Sequence, residues 1–328
     1  MRTSYKFLLL CFSMLSFLNV VARGTAVEPH GGMMRYPDVS ATHIAFVYAD
    51  DIWIVPRSGG TASPLASPPG GEAFPRFSPD GRTIAFNGNY DGNYDIYTVS
   101  VAGGIPQRLT YHSSGERLCD WSFDNRLVFA MNGLGGLARQ AQLFAVQQTG
   151  GLPNRLSVPY GGYGVISGDG QWLAYTPRNR DFRTWKRYRG GWASDIWLFH
   201  LGNHTSKKVT DWEGTDTIPM WHGRKIYYLS DAGENHRLNI WFYDLETNER
   251  KQVTYFRDYD VKWPSNGPGP DGKGEIVFEY NARLYLLDLE SEQSSPVNIS
   301  VPGARPKLRP IRKDVSGRLS NWYVSPNA

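Results

Sequence analysis

Apolar and polar positions alternate in short stretches along the chain, and this pattern predicts β-strands. The clearest stretches cover residues 83–86, 126–129, 172–175, 226–229 and 275–278. Strands are typically stretches of about four to eight residues rich in β-branched and aromatic side chains. No segment shows a helical period. We therefore expect an all-β protein.

One short motif recurs six times: an acidic or polar residue, then Ile or Leu, then an aromatic residue. The copies begin at Asp51, Asp95, Gln142, Asp195, Asn239 and Arg283. Successive copies are 44, 47, 53, 44 and 44 residues apart, which indicates one repeat length with two insertions. A period of about 40 to 50 residues is typical of propellers and solenoids.

The surroundings of each copy complete a four-stranded unit. A hydrophobic stretch precedes the motif, often after a tight turn such as 78–81, 167–170 or 270–272, and a short strand follows it. Six such antiparallel sheets bury their faces by packing around an axis, which predicts a six-bladed β-propeller. The repeated aromatic residues are interpreted as packing between blades. The units begin near Met33 and end near Ser300, so we expect the ring to close without strand exchange.

The amino-acid composition agrees with an all-β protein, and the charge bears on whether nucleic acid is a partner. Gly (35) and Pro (21) suit many turns, and Tyr (19) and Trp (11) suit strands. Lys and Arg total 35 and Asp and Glu 31, so the net charge of +4 does not indicate a nucleic-acid partner.

Residues 1–26 have the pattern of a secretory signal. Arg2 and Lys6 precede an apolar run at 7–18, and 24–26 offers a cleavage site. The run is too short to span a bilayer, so we expect an exported protein, periplasmic or secreted, without a stable membrane anchor. Cleavage would leave Cys119 as the only cysteine. We assign the propeller to 27–304, and a linker or the start of a missing following domain to 305–328.

A search for catalytic and metal-binding motifs assigns no catalytic residue, no metal and no cofactor. The sequence has no Gly-x-Ser-x-Gly, no His-Glu-x-x-His and no phosphate-binding loop. His200 and His204 have metal-like spacing but are interpreted as part of a surface turn. Residues 87–95 resemble a calcium loop, and a hairpin turn is favoured there. The glycine run at 133–136 is interpreted as a loop.

An insertion at 179–191 lengthens the fourth unit and combines positive charge with aromatic rings. Such side chains suit a peptide, whose carboxylates arginine holds, and they equally suit ion pairs with another domain or a neighbouring blade. Both interpretations stay open. The candidate contact residues are Arg183, Trp185, Lys186, Arg187, Tyr188 and Arg189.

Together with the six-unit count, the turn at 77–81 and the segment 183–191 leading into Asp195, the chain resembles the N-terminal propeller of tricorn-type peptidases over about residues 33–310. In that family a six-bladed propeller is followed by a seven-bladed propeller, a PDZ domain and a catalytic domain of the S41 serine peptidase class. The resemblance implies an axial passage for peptide products, with the catalytic residues in other domains.

The leading hypothesis is a non-catalytic propeller domain of an exported tricorn-like S41 peptidase that gates or binds peptides. Its partners would be peptides or polypeptide substrates and the second propeller, PDZ and catalytic domains, encoded by the same or an adjacent gene. The first alternative is a stand-alone periplasmic scaffold resembling TolB. The second is a propeller enzyme whose acidic ligands converge from several blades. Whether the chain itself is an enzyme therefore stays open.

Overall fold

The computed structural model describes residues 33–66, 68–132, 140–178, 180–182, 184–302, 310, 312–321, 323–324 and 326. The expected signal segment, the glycine run at 133–136 and residues 303–309 of the linker region lie outside the described residues. Within the described part, twenty-six strands form six four-stranded antiparallel sheets and one two-stranded pair. The predicted six-bladed propeller is confirmed.

The first three blades follow one another in sequence. Blade 1 contains β1 (Met34–Val39), β2 (His43–Tyr48), β3 (Asp51–Pro56) and β5 (Ser63–Ala66), with β4 (Gly60–Thr61) between the last two. Blade 2 contains β6 (Gly71–Phe77), β7 (Thr83–Asn89), β8 (Asp95–Ser100) and β9 (Gln107–Arg108). Blade 3 contains β10 (Glu116–Trp121), β11 (Arg126–Asn132), β12 (Ala141–Gln147) and β13 (Asn154–Arg155).

The other three blades repeat this order. Blade 4 contains β14 (Tyr163–Ile166), β15 (Trp172–Thr176), β16 (Trp197–His200) and β17 (Ser206–Lys208). Blade 5 contains β18 (Asp216–His222), β19 (Lys225–Ser230), β20 (Asn239–Asp244) and β21 (Arg250–Gln252). Blade 6 contains β22 (Lys262–Gly267), β23 (Glu275–Tyr280), β24 (Arg283–Asp288) and β25 (Ser294–Pro296), and β26 (Ile299–Ser300) follows it.

The repeated motif lies at the third strand of every blade, and the predicted hydrophobic stretches lie in second strands. The aliphatic residue of the motif is fully buried in all six copies: Ile52, Ile96, Leu143, Ile196, Ile240 and Leu284. The aromatic residues that follow are buried or half-buried. Burial of these side chains between sheets is the main stabilising contribution that the repeat supplies.

The turns before the second strands are fixed by local hydrogen bonds. Ser78 donates to Asp80 at 2.6 Å, and the Thr83 N–H donates to Ser78 at 3.0 Å. Gly81 has a φ of 68°, which a glycine adopts without strain. The same bonds recur at Ser167. The Ser-x-Asp turns thus end one strand and start the next.

Each four-stranded sheet takes its strands from one continuous part of the chain, with only β4 left out of blade 1, so the expected closure without exchange is right for the six blades. The sequence did not predict one further strand pair. After blade 6, β26 pairs in parallel with β4 of blade 1, with Ile299 opposite Gly60 and Ser300 opposite Thr61. Ile299 and Val301 are buried in a hydrophobic core shared by blades 1 and 6. The chain therefore ties its last blade to its first.

Helix is nearly absent from the described chain, which has one 3-10 turn at Ser316–Arg318. Across those same residues there is no helix with the length and apolar character needed to cross a membrane.

Candidate functional site

The first strand of each blade lines the axis of the ring, because each of these strands contacts the first strands of the neighbouring blades. Four of these strands carry a hydrophobic residue directly before a proline, with a positive φ: Tyr36 (52°), Phe74 (52°), Ile218 (51°) and Trp263 (48°). The strand register shifts at the same place in each case. This conformation costs roughly 1–2 kcal/mol for a residue with a Cβ, and such strain is common at functional sites.

Three of these bulged residues meet at the axis and form, with Phe182, what we call the aromatic layer. The ring centre of Tyr36 lies 4.3 Å from that of Phe74 and 4.8 Å from that of Trp263. Phe182 comes from the blade 4 insertion, and its ring centre lies 4.9 Å from that of Trp263 and 5.8 Å from that of Phe74. The layer thus joins blades 1, 2 and 6 with a segment of blade 4.

Arg117 of blade 3 completes this layer from the other side of the ring. Its guanidinium carbon lies 5.1 Å from the ring centres of Phe74 and Phe182 and 5.9 Å from that of Trp263. Blades 3 and 6 are three positions apart in a ring of six and therefore face each other. A contact between Arg117 and Trp263 consequently bridges the channel.

The insertion is held over the axis by a second residue. Asp181 accepts a hydrogen bond from Arg117 at 2.7 Å and one from the Thr217 hydroxyl at 2.5 Å. Asp181 therefore links blades 3 and 5, while the adjacent Phe182 links blades 2 and 6. The insertion of blade 4 crosses the channel and contacts four other blades.

One step further along the inner strands lies a polar layer, made by Asp38, Arg76, Tyr163 and Ser265 and by the Cys119 carbonyl. Asp38 accepts hydrogen bonds from the Phe77 N–H at 2.6 Å and from the Ser265 hydroxyl. Arg76 donates to the Cys119 carbonyl at 2.9 Å, and the Tyr163 hydroxyl donates to the same oxygen at 3.0 Å. These bonds connect the inner strands of five blades.

Burial shifts the titration of the polar layer. Desolvation raises the pKa of Asp38, and it raises the pKa of Asp120 to about 7 although Arg76 favours the ionised carboxylate. Burial also raises the pKa of the Tyr163 hydroxyl to about 12. Burial opposes the charge on Arg76, but Tyr163 and Asp38 stabilise it and hold its pKa above the ordinary value. A guanidinium flanked by two carboxyl groups therefore sits in a site of low polarity.

A cavity lies on each side of these layers. The front cavity, of about 610 Å³, is lined by blades 1 to 3 and by Phe182, with Tyr36, Phe74, Glu116 and Arg117 in its wall. The back cavity, of about 420 Å³, is lined by residues of all six blades, including Asp38, Arg76 and Asp120. The inner strands run from one cavity to the other. The channel thus has two mouths separated by an aromatic and a polar layer.

The described candidate residues of the insertion lie beside blade 5. Lys186 pairs with Asp260 at 2.5 Å, and Arg189 pairs with Glu213 at 2.7 Å. Both acidic residues belong to the segments that flank blade 5, so these contacts join neighbouring blades. The Trp185 and Tyr188 rings contact each other at 4.8 Å, Arg187 lines a small cavity next to them, and Arg183 lies outside the described residues. Contact with a peptide or another domain stays a prediction.

The two possible metal sites considered from the sequence, residues 87–95 and His200 with His204, belong to turns. The segment 87–95 connects β7 and β8, and its Asp91 and Asp95 both pair with Arg108 of β9, at 2.8 and 2.6 Å. His200 accepts the N–H of Gly202 in the turn after β16. Across the described ranges, no three His, Cys, Asp or Glu side chains are grouped so that they could hold a metal ion.

Sequence reasoning missed the residues of the aromatic layer, although a signal was present. A hydrophobic residue followed by proline occurs at 36–37, 74–75, 218–219 and 263–264, at positions that match the repeat. Proline lacks an N–H, so it fits a bulge where the ladder is interrupted. Read with the repeat, these pairs would have located the channel-lining bulges.

Comparisons with known proteins agree with this geometry. The family model of the tricorn protease N-terminal beta propeller domain matches residues 31–293. A tricorn protease homolog of Saccharolobus solfataricus is 27% identical over 300 residues, which cover 89% of this chain and 27% of the relative. Tricorn protease homolog 1 of Streptomyces coelicolor is 32% identical over 281 residues, which cover 84% of this chain and 25% of the relative. The chain thus spans about a quarter of the length of these relatives.

Two further matches concern a shorter relative and a solved structure. A putative tricorn-like protease N-terminal subunit of Sulfurisphaera tokodaii is 23% identical over 178 residues, covering 52% of this chain and 89% of that protein. The crystal structure of the tricorn protease superposes with a TM-score of 0.71 at 23% identity, over 84% of this chain and 27% of that one. A TolB structure from Agrobacterium tumefaciens gives a TM-score of 0.56 at 20% identity, over 72% and 83% of the two chains. These two structures show the likeness of the fold.

Proposed function

Because the chain belongs to the family of the tricorn protease N-terminal beta propeller domain, we propose that it is the non-catalytic propeller of a tricorn-like S41 serine peptidase and that it gates or binds peptides in proteolysis. The observation that carries the proposal is the axial channel, in which the aromatic layer separates two cavities. Aromatic rings and an arginine suit a polypeptide, since they contact apolar side chains and carboxylates of any sequence.

The proposed partners are peptides and a second propeller, a PDZ domain and a catalytic domain in the same or an adjacent gene product. The Sulfurisphaera tokodaii relative, which is described as an N-terminal subunit and is matched over 89% of its length, supports a separately encoded propeller. The catalytic serine, histidine and acidic residue would come from the catalytic domain.

We also propose that the protein is exported to the periplasm or beyond. The basic start and apolar run of residues 1–26 support this proposal. Fractionation of cells and N-terminal sequencing of the purified protein test it. A mature chain that begins at Val27 is expected, whereas a cytoplasmic chain that still begins at Met1 would contradict it.

Hydrolysis of a mixed peptide library tests the non-catalytic role. The purified chain is assayed alone and with the product of the adjoining gene. We expect no hydrolysis by the chain alone and activity when the partner is present. Hydrolysis by the chain alone would refute the non-catalytic role, and a partner that is equally active without the propeller would refute the gating role.

A further inference from the structure

The floor of the back cavity carries its charged groups on one side only. Strand register places one residue of each inner strand at an equivalent position around the axis, opposite the second strand of the same blade. In chain order these six residues are Asp38, Arg76, Asp120, Val165, Met220 and Ser265. The charges therefore belong to three consecutive blades, blades 1 to 3, whereas blades 4 and 5 have apolar residues at these positions.

The wall of the back cavity contributes apolar surface as well. Ile166 of blade 4 and Trp221 of blade 5 line it, and so does Phe123 in a turn of blade 3. Sites for small organic molecules typically combine apolar walls with a few charged or polar groups in a space of roughly 300–1,000 Å³. The back cavity, of about 420 Å³, has this size and this combination.

Two of the three charged groups are already engaged by the protein. Asp38 is buried and accepts two hydrogen bonds within the polar layer. Arg76 is buried and donates to the backbone carbonyls of Pro75 and Cys119. Neither group is therefore available to a ligand without loss of bonds that hold the ring.

Asp120 is the charged group that stays open to the back cavity. Its side chain is half-buried and lines the cavity. Among the described residues only the Trp121 N–H hydrogen-bonds to its carboxylate. When Asp38 and Asp120 are ionised, two negative charges face the single positive charge of Arg76. One negative charge is left over, and a charge in a site of low polarity is stable when a counter-ion pairs with it.

We propose that the back cavity binds a small organic cation, with a primary ammonium group on Asp120 and an apolar group against Ile166 and Trp221. The ammonium ion forms a charge-assisted hydrogen bond with the carboxylate, and the apolar part covers surface that water otherwise contacts. A bare metal ion would leave the apolar wall unused, and the described residues group no three acidic, histidine or cysteine ligands here. The site belongs to the propeller itself and does not depend on the peptidase role.

Binding of this cation requires the ionised form of Asp120. Burial raises the pKa of Asp120 to about 7, while Arg76 opposes the rise and Asp38, whose own pKa burial raises, adds to it. About one tenth of the Asp120 carboxyl groups are then ionised at pH 6 and about nine tenths at pH 8. The affinity for an ammonium ion should therefore increase about tenfold from pH 6 to pH 8.

The neighbouring titratable groups on other strands and turns are Cys119, Tyr163, Asp80 and His222. Burial raises the pKa values of Cys119 and Tyr163 to about 11 and about 12, so both stay protonated over this range. A hydrogen bond from Ser78 lowers the pKa of Asp80, which stays ionised. Burial lowers the pKa of His222, and a His222→Gln variant removes its titration.

The test is a calorimetric titration of the full chain with benzylamine, a primary ammonium ion attached to an apolar ring. Benzyl alcohol is the neutral probe of similar shape, and calcium chloride supplies an inorganic cation. We expect benzylamine to bind saturably, about tenfold more tightly at pH 8 than at pH 6. Benzyl alcohol should not bind, and calcium should not displace benzylamine. The Asp120→Asn variant should lose benzylamine binding at both pH values.

A matched control is Asp124→Asn, the same change in the next turn of blade 3, where the carboxylate pairs with Arg126 and does not line the cavity. It should bind benzylamine as the wild type does, and His222→Gln should keep the pH effect. Equal binding of benzylamine and benzyl alcohol would overturn the proposal, as would equal affinity at pH 6 and pH 8. Displacement of benzylamine by calcium would overturn the assignment to an organic cation.

Two further outcomes are separated by the same experiments. If Asp120→Asn fails to fold, the comparison of pH 6 with pH 8 on the wild-type chain decides. Lack of benzylamine binding at both pH values would refute the cation site and leave the proposed peptidase role intact.

Discussion

The aromatic layer and the polar layer lie next to each other in one channel but are held in different ways. The polar layer is made by the inner strands alone, through buried hydrogen bonds of Asp38 and Arg76. The aromatic layer depends in addition on Asp181 and Phe182, which an insertion brings to the axis. The comparison indicates that the polar layer fastens the ring, whereas part of the aromatic layer comes from a segment outside the four strands of any blade.

The largest expected effect is a difference in stability between substitutions of Phe74 and Phe182, two members of the aromatic layer. Phe74 is 8% exposed and belongs to an inner strand, so Phe74→Ala should lower the free energy of unfolding by about 4 kcal/mol. Phe182 is 52% exposed, so Phe182→Ala should cost less than about 1 kcal/mol. Chemical denaturation measures both. Equal losses would show that the insertion is as much a part of the ring as the inner strand.

The next effect concerns the polar layer. Asp38→Ala leaves the buried Phe77 N–H and the Ser265 hydroxyl without their acceptor, which should cost about 3 kcal/mol of unfolding free energy. Asp211→Ala is the control, because Asp211 is 96% exposed and its removal should change stability by less than about 0.5 kcal/mol. A loss for Asp38→Ala no larger than the control would contradict the fastening role.

The smallest effect depends on pH. Glu279 accepts the Tyr36 N–H at 2.9 Å, and burial raises its pKa from an ordinary 4.5 to about 8. Between these values the folded chain binds more protons at this site than the unfolded chain, so the site's contribution to stability is lost as pH rises. Gln accepts the same hydrogen bond and does not titrate. Glu279→Gln should therefore match the wild type near pH 4 and be more stable by roughly 1–2 kcal/mol near pH 6.

Thermal unfolding of both proteins from pH 4 to pH 6 measures this difference. Equal curves over the whole range would mean that Glu279 is already ionised in the folded protein, and that the aromatic layer stands in a more polar site than its burial indicates.

Sequence reasoning predicted the blades because their signals are local. The motif around Ile52 and its five repeats, the turn at Ser78 and the alternating strands all act within one unit. The contact of Arg117 with Trp263 could not be read in this way, because it joins residues of blades that face each other across the ring. The position of Phe182 depends on the path of an insertion that no repeat constrains.

In the insertion, the candidate residues were chosen from the sequence for their positive charge or aromatic rings. Asp181 and Phe182, which reach the axis, were not among these candidates. Lys186 and Arg189 bind acidic neighbours of blade 5, whereas Asp181 and Phe182 cross the channel. A basic, aromatic composition marks the whole segment equally. Only the three-dimensional path separates side chains that anchor the insertion from those that close the channel.

The most direct test of the gating role is the rate of peptide hydrolysis by the peptidase assembled with this propeller. The wild-type chain is compared with Phe182→Ala, using long peptides and a dipeptide substrate. We expect the variant to speed hydrolysis of long peptides severalfold and to leave the dipeptide unchanged, because the aromatic layer restricts only what must pass it. Identical rates for both lengths would contradict the view that the aromatic layer is a gate.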